Sequence, residues 1–405
     1  MAITIIQEPQ AVTPAGNPIT FLVQSTNSAQ ANFRFIAEIK DSGGNVIAKR
    51  KFPLIPGTSR GWIDIHRTLE TQVSGSFNVD QAAAAEDSSA FYQYSVHFGE
   101  EYGDPTSEYL NLASVSSLRT WSASLQALDE WPGYQYEHYR IVNPPSGSAR
   151  WLSAFGSSKR IGLDQRDFLS FITRDTLGPD SISVVAISTG GITTSSVFAV
   201  SPGSGHRLYR IPSGPENLNM ISSLISGTPG SVIPANTASY TIQARINGSA
   251  LDFGPIFSYT IKRPLTNYEP WDFFFWNRFG AFEGFRFDRR SDITRRIQRR
   301  SFEKPVLEYD GTSSVGYSES AGSLTHYGTE IEKSLRVISD WISEEESLGL
   351  LDLVSSPLVY SYHSGELRQV AVNIEAHRER RKVNDKLEAF ELLATFALKD
   401  RRQAR

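Results

Sequence analysis

The first 112 residues alternate between apolar and polar positions in short runs. Such runs lie at residues 19–23, 33–39, 46–52 and 91–98, and turn residues such as Gly and Pro separate them. The clearest turn is Asp-Ser-Gly-Gly-Asn at 41–45, because glycine supplies the positive φ that hairpin turns need. Period-two runs with turns between them indicate an antiparallel β-sandwich. We predict this first domain over residues 1–118, with residues 80–87 as a short helix or a loop.

A second β-rich region follows over residues 119–264. Apolar runs recur there at 151–155, 168–173, 181–189, 195–200, 209–211, 239–246 and 257–261. Glycine-containing turns at 188–191 and 201–205 separate several of these runs. The pattern favours a second sandwich of immunoglobulin-like or fibronectin-like type. No residue-level repeat relates the two regions.

Residues 265–405 differ from both, because helix signals appear there for the first time. Ser343 and Glu346 form a capping box, in which each side chain accepts the backbone N–H of the other residue. Apolar residues then recur on one face until Pro357. We predict an amphipathic helix over residues 344–356.

The segment after this helix predicts further β-structure. A hairpin with a Ser-Gly turn at 364–365 follows directly. Residues 383–399 fit both a helix and a strand. We favour a strand over 389–399, since it could pair with the hairpin and close the sheet. The region is therefore predicted as a third, α+β domain over residues 265–405.

Composition narrows the class of protein. At 405 residues the chain exceeds the roughly 250–300 residues of a single core, so we expect more than one domain. A net charge of −4 gives the chain as a whole no electrostatic attraction to nucleic acid or to anionic membranes. The absence of cysteine excludes disulfides and thiolate sites. No segment has the apolar pattern of a signal peptide or a membrane span, so we expect no membrane insertion.

Motifs for catalysis or metal binding are sparse. No two of the seven histidines stand three or four residues apart, the spacing that a metal site usually shows. We find no nucleophile elbow, phosphate-binding loop or dinucleotide fingerprint. Carboxylates at 100–104, 129–130 and 344–346 are candidates for an acid/base pair, but the last trio already caps a helix. We predict a non-enzymatic protein without metal or cofactor.

Arginine is concentrated between residues 286 and 300. Seven arginines stand there against Asp288 and Asp292, a local excess of five positive charges. The segment could face nucleic acid, because neutralising phosphates needs no sequence-specific contact. The alternative is that the arginines pair with carboxylates of neighbouring subunits, since the planar guanidinium suits such interfaces. We favour the subunit interface.

Seven aromatic residues lie within the twelve positions 271–282, just before the arginines. A cluster of this size is too apolar to remain exposed, so it is core or subunit interface. A platform for carbohydrate is a further alternative. The interface predicted from both segments comprises Trp271, Phe274, Trp276, Arg278, Phe279, Phe282, Phe285, Arg289, Arg290, Arg295, Arg296, Arg299 and Arg300.

The segment Trp-Asn-Arg-Phe-Gly-Ala-Phe-Glu-Gly-Phe at 276–285 resembles a known pattern. It is similar to the Asn-Arg-hydrophobic-Gly-Gly/Ala-Phe pattern in virion structural proteins of tailed phages that infect Bacteroidetes, crAss-like phages among them. Ala281 stands where that pattern often has a second glycine. Further similar segments lie, in the same order as in the family, at 7–9, 14–18, 98–103, 211–218, 340–347, 353–360, 381–387 and 397–403.

The resemblance implies a component of the virion but no specific place on it. We expect the tail or neck region, with synthesis in the host cytoplasm. By analogy with tail-tube-like modules, the C-terminal region would form a cyclic homo-oligomer such as a hexamer or dodecamer. Its partners would be other tail, neck or baseplate proteins, with non-specific passage of DNA through the ring. The alternative function is a carbohydrate-binding adhesin or receptor-binding module that uses Trp121, Trp131, Tyr134 and Tyr136.

Overall fold

The protein is mainly β. A computed structural model of the chain describes residues 3–125, 136–142, 149–174, 178–201, 203, 205–222, 224–228, 231–246, 251–262, 268–305, 307–309, 311–312, 314–317, 322–373 and 388–403. The predicted domain boundary at 264, the side chains of Trp131 and Tyr134, and the segments 129–130 and 381–387 lie outside these ranges.

The chain forms two compact units. The N-terminal unit comprises Met1–Arg263 together with Trp276–Gly284, and the C-terminal unit comprises Pro264–Phe275 together with Phe285–Arg405. The predicted boundary at 118 falls inside the N-terminal unit.

The first part of the N-terminal unit contains nine strands and one short helix among its described residues. They are β1 (Ile3–Gln7), β2 (Val12–Pro14), β3 (Thr20–Ser25), β4 (Arg34–Asp41), β5 (Val46–Phe52), β6 (Arg60–Asp64), α1 (His66–Glu70), β7 (Ala85–Asp87), β8 (Phe91–Gly103) and β9 (Thr106–Trp121). The predicted turn at 41–45 joins β4 and β5 and is confirmed, with Gly44 at a φ of 84°.

Two sheets of this part enclose one apolar core. Their strand orders are β1-β3-β6 and β2-β9-β8-β4-β5. Phe21 from the first sheet packs edge-on against Phe98 from the second, with ring centroids 5.5 Å apart. The pairing differs from the prediction at one place, because β2 runs parallel to β9.

The rest of the N-terminal unit has a second core. Its elements are a 3₁₀ helix (Tyr136–Tyr139), β10 (Ser158–Ile161), β11 (Phe168–Arg174), β12 (Ser181–Ser188), β13 (Thr193–Ala199), β14 (His206–Pro212), α2 (Pro215–Leu218), β15 (Leu224–Ser226), β16 (Thr237–Ile246) and β17 (Leu251–Ile261). The six-stranded sheet has the order β10-β17-β16-β12-β13-β15, and the three-stranded sheet the order β11-β14-β7. The end strand β10 pairs parallel with β17.

The prediction of a short helix or a loop over residues 80–87 is confirmed as a loop for residues 80–84 and is wrong for Ala85–Asp87. Those last three residues form β7, whose backbone pairs with Leu208–Arg210 of β14. Of the four consecutive alanines, which favour a helix locally, only Ala85 lies in this strand, where an unpaired sheet edge is available. Strand β7 thus joins a sheet formed mainly by strands from beyond the predicted boundary at 118.

The C-terminal unit is built around one large sheet. Its elements are β18 (Trp271–Trp276), β19 (Phe282–Phe287), β20 (Ser291–Glu303), β21 (Leu307–Tyr309), β22 (Val315–Tyr317), β23 (Leu324–Ile342), α3 (Glu344–Ser355), β24 (Val359–His363), β25 (Glu366–Val372), β26 (Glu388–Phe396) and β27 (Asp400–Gln403). The sheet has the order β19-β18-β24-β25-β26-β23-β20, and β27 also pairs with β23.

Three local predictions for this unit are confirmed. The Ser343 hydroxyl accepts from the backbone N–H of Glu346 at 3.2 Å, and the Glu346 carboxylate accepts from the N–H of Ser343 at 2.9 Å. The hairpin β24–β25 turns at Ser364 and Gly365. Of the strand predicted over 389–399, residues 389–396 lie in β26, which pairs with both β23 and β25, and residues 397–399 lie beyond its end.

Candidate subunit interface

Strand β20 is the free edge of the large sheet. Thirteen residues long, it pairs along one side with β23 from Ser291↔Val337 to Glu303↔Leu324, and no other strand of the described residues pairs with it. In an antiparallel pair, alternate residues turn their backbone N–H and C=O groups away from the partner strand. The outer side of β20 therefore presents a row of unpaired backbone groups on which another strand can add.

The side chains of β20 alternate between two faces of the sheet. Arg295 and Arg299 share a face with Ile293 and Ile297, because residues two apart in a strand point the same way. The isoleucines are 45% and 50% exposed. This side of β20 therefore combines positive charge with accessible apolar surface, and we call it the basic face.

Neighbouring strands add to the basic face. Lys333 of β23 lies opposite Arg295, and Arg402 of β27 lies opposite Thr329, which in turn faces Arg299. Asp400 supplies one carboxylate, 2.8 Å from Lys333. The pKa of Asp400 is lowered by Lys333 and, to a smaller extent, by Arg402 and Arg295. Four cations against one carboxylate leave a net charge of +3.

The other face of β20 is more nearly neutral. Arg296 and Gln298 lie opposite Glu332 and Glu330, and Arg300 approaches Glu330 at 3.9 Å. Lys399 also contacts both glutamates, at 3.5 and 3.6 Å. With Arg401, which lies 4.0 Å from Glu330, this face holds four cations against two carboxylates, a net charge of +2, so its cations have more carboxylate partners than those of the basic face.

The structure divides the predicted arginine cluster into paired and unpaired members. Arg289 binds Asp340 at 2.8 Å, and Arg290 lies 3.2 Å from Asp292. Arg286 makes a buried, two-pronged ion pair with Asp272 at 2.7 and 2.9 Å. Among the described residues, no carboxylate comes within 4 Å of three members, Arg295, Arg296 and Arg299. The same holds for Arg402 of β27, which lies outside the predicted cluster.

The aromatic part of the predicted interface is wrong. Trp271, Phe274, Phe279, Phe282 and Phe285 are all buried within the chain, and Trp276 is half-buried. The chain's own core already covers these rings, so they offer no surface to a partner.

Each ring has partners within its own unit. In the C-terminal unit, Trp271 stacks on His363 at 4.0 Å and Phe285 meets Phe287 at 5.3 Å. In the N-terminal unit, Phe282 packs on Trp276 at 5.0 Å. These contacts confirm the alternative in which the aromatic cluster is core.

The segment 277–284 folds within the N-terminal unit around the side chain of Asn277. Its amide oxygen accepts from the backbone N–H groups of Phe279 and Ala281, both at 3.1 Å, and its amide nitrogen donates to Leu152 O at 2.9 Å. Gly280 allows the tight turn with a φ of 78°. Arg278, which was predicted at the interface, places its guanidinium over the ring of Phe279 at 5.0 Å.

A buried polar network holds the end of this segment. Glu283 accepts from the hydroxyl of Ser153 and from the backbone N–H of Ala154 at 2.9 Å. Burial raises the pKa of Glu283 to about 7, against the opposing influence of Lys159.

The same network joins Gly284 to a buried ion pair. Lys159 binds Asp167 at 2.8 Å and also donates to the backbone oxygen of Gly284. The backbone N–H of Gly284 donates to Asp167 at 2.9 Å. No spacing signal in the sequence links these residues, since Gly284 stands more than a hundred positions from both.

The aromatic residues proposed for carbohydrate binding do not form a platform in the described ranges. Trp121 is fully buried and Tyr136 is also buried, with their rings 5.5 Å apart in one core cluster. The indole N–H of Trp121 donates to the backbone oxygen of Phe279 at 3.3 Å. Neither ring offers a face to a sugar.

Comparison with known proteins gives no relative: no family model matches the chain, and no curated protein matches it. Across the ranges that the structure describes, no three His, Cys, Asp or Glu side chains converge as a metal site would require. None of the described helices has the length and apolar character needed to cross a membrane.

Proposed function

We propose that this chain is a structural subunit of a tailed-phage virion, in the tail, neck or distal tail, that assembles into a homo-oligomeric ring and contacts neighbouring virion proteins. The observation that carries the proposal is the open edge of β20, with its basic face of Arg295 and Arg299. An unpaired strand edge, exposed isoleucines and excess cations together form a surface suited to another protein chain.

Charged residues also occur on edge strands that stay in solvent, where they block unwanted pairing. Two observations favour a protein partner for β20. Ile293 and Ile297 alternate with the arginines and are about half exposed. The basic face carries a net charge of +3, which the carboxylates of a partner would neutralise. A partner that covers the basic face would bury the isoleucines and pair the guanidinium groups.

The assignment to a phage particle rests on the resemblance of residues 276–285 and the accompanying segments. By analogy, we assign α3, the hairpin β24–β25 and the strand β26 to a tail-tube-like module in the C-terminal unit. In this proposal the N-terminal unit supplies two immunoglobulin-like or fibronectin-like sandwiches, which contact neighbouring virion proteins.

The mass of the purified protein tests the assembly. We expect a closed oligomer of defined copy number in native mass spectrometry and light scattering. The variant Arg295→Glu/Arg299→Glu should raise the concentration for half-assembly about 100-fold, since like charges placed against each other at an interface are strongly unfavourable. Arg60→Glu/Arg67→Glu is the matched control, because both residues are exposed in the N-terminal unit. Antibody labelling of isolated particles tests the location. A strict monomer that is missing from particles would contradict the proposal.

A further inference from the structure

The basic face needs negative charge from a partner, and the C-terminal unit itself offers a candidate. Among its described side chains, the exposed carboxylates without an ion pair are Glu303, Glu344 and Glu345. Glu303 is the last residue of β20 itself. Glu344 and Glu345 begin α3, while the next residue, Glu346, is occupied in the capping box.

Apolar surface accompanies the two glutamates. Trp341 and Leu348 flank them in sequence and are 49% and 47% exposed. Glu344 and Leu348 are four residues apart in the helix, so they lie on one face. We call Trp341, Glu344, Glu345 and Leu348 the acidic patch. Like the basic face, it combines two charged side chains with two half-exposed apolar ones. Arg289, which is paired with Asp340, lies over the Trp341 ring at 5.2 Å.

The two surfaces cannot meet within one chain. Lys333, opposite Arg295, is nine residues before Ile342, the last residue of β23. At about 3.3 Å per residue this is about 30 Å along an extended strand. Thr329, opposite Arg299, is a further four residues away, so the distance there is about 40 Å. No arginine side chain spans such a gap, and each surface is left to a different molecule.

We propose that the acidic patch at the start of α3 receives the basic face of β20 from the next copy of this chain. The inference rests on the proposed function and names the surface that the neighbouring subunit contributes. The two surfaces differ and lie about 30–40 Å apart along β23, so each copy can give its basic face to one neighbour and its acidic patch to another, which is a head-to-tail contact. Repeated head-to-tail contacts produce a ring when the rotation closes, as the proposed function requires.

A charge exchange tests the pairing. Variant A is Arg295→Glu/Arg299→Glu, and variant B is Glu344→Arg/Glu345→Arg. Each alone should require about 100-fold more protein for half-assembly than the wild type, because like charges then face each other. An equimolar mixture should recover assembly. The strand β20 of variant A, which is now acidic, can bind the start of α3 in variant B, which is now basic. The unchanged basic face of variant B can bind the unchanged acidic patch of variant A. In the mixture, native mass spectra should show the two variants alternating.

Two controls separate this effect from misfolding. Arginine at a helix N-terminus is unfavourable and could itself destabilise α3 in variant B. The variant Glu344→Gln/Glu345→Gln removes the two negative charges without introducing positive ones, and it should weaken assembly less than variant B does. Thermal unfolding of all variants, followed by circular dichroism, should remain close to the wild type. Arg60→Glu/Arg67→Glu should leave assembly unchanged.

Each contrary result has a distinct meaning. If variant B and the glutamine variant assemble like the wild type while variant A does not, the acceptor lies elsewhere and this inference fails, although the ring remains. Failure of the mixture to recover would overturn it in the same way. If variant A assembles normally but loses binding to duplex DNA, the arginines serve nucleic acid and the pairing is wrong. A wild type that never assembles contradicts the proposed function itself.

Discussion

The buried carboxyl group of Glu283 makes the stability of the N-terminal unit depend on pH. Glu283 is almost wholly enclosed, and burial raises its pKa to about 7 from an ordinary value of 4.5. Between these two values the folded protein holds a proton that the unfolded chain has released. Protonation therefore favours the folded state, and stability decreases as the pH rises from 4.5 through 7.

The size of this contribution follows from the difference of about 2.5 pKa units. One unit corresponds to about 1.36 kcal/mol, so the ionised group costs on the order of 3 kcal/mol once the pH is above 7. The hydroxyl of Ser153 can hydrogen-bond to both the ionised and the protonated form of Glu283. It donates to the carboxylate, and it can rotate to accept from the carboxylic acid. Paired carboxylates elsewhere in the chain contribute with the opposite sign below about pH 4.5.

The substitution Glu283→Gln isolates the effect. Glutamine keeps one oxygen acceptor and cannot ionise. The free energy of unfolding of the variant should therefore not show the decrease between pH 4.5 and 7 that we expect for the wild type. We would measure urea unfolding of both proteins at half-unit pH intervals and plot the difference. Taking the difference removes the pH dependence that both proteins share. If the two curves run parallel across this interval, Glu283 is not protonated in the folded state and the reasoning is wrong.

Two further substitutions test the packing of each unit. Asp272→Asn should destabilise the C-terminal unit by about 3–5 kcal/mol in urea unfolding, since it leaves the buried guanidinium of Arg286 without its carboxylate; a loss below 1 kcal/mol would mean that water or another group compensates. Gly280→Ala should destabilise the N-terminal unit by far more than the matched change Gly191→Ala. Both glycines have a positive φ, but only at Gly280 would the new methyl group overlap the backbone of Ser122. The shared backbone strain is about 1–2 kcal/mol, and equal losses at both sites would contradict the steric account.

Local signals predict the elements whose structure depends on near neighbours in sequence. The capping box at Ser343 places the start of α3 at the correct residue, because its donors and acceptors are three residues apart. The Gly-rich turn after Asp41 likewise defines the hairpin β4–β5. Strand β26 was predicted from its potential partners, and it does pair with the hairpin beside it.

Features that depend on distant residues were not predictable in the same way. Composition shows that the aromatic cluster must be covered, but not whether its own chain or a neighbour covers it. Charge counting gives the excess of arginine, yet only the fold brings Asp340 to Arg289 across 51 positions. Lys333 and Arg402 belong to the basic face through strand register alone. The network of Lys159, Asp167 and Glu283 carries no spacing signal at all.

Residues 276–284 belong to the N-terminal unit, although the residues on both sides of them belong to the C-terminal unit. This affects how the N-terminal unit folds during synthesis on the ribosome. The chain leaves the N-terminal unit after Arg263, returns at Trp276 and departs again after Gly284. Until that last stretch has emerged, the buried ammonium of Lys159 lacks one of its two acceptors. We therefore expect that the N-terminal unit cannot complete its fold while the nascent chain ends at residue 263. A fragment cut there should be soluble only with the missing peptide supplied in trans.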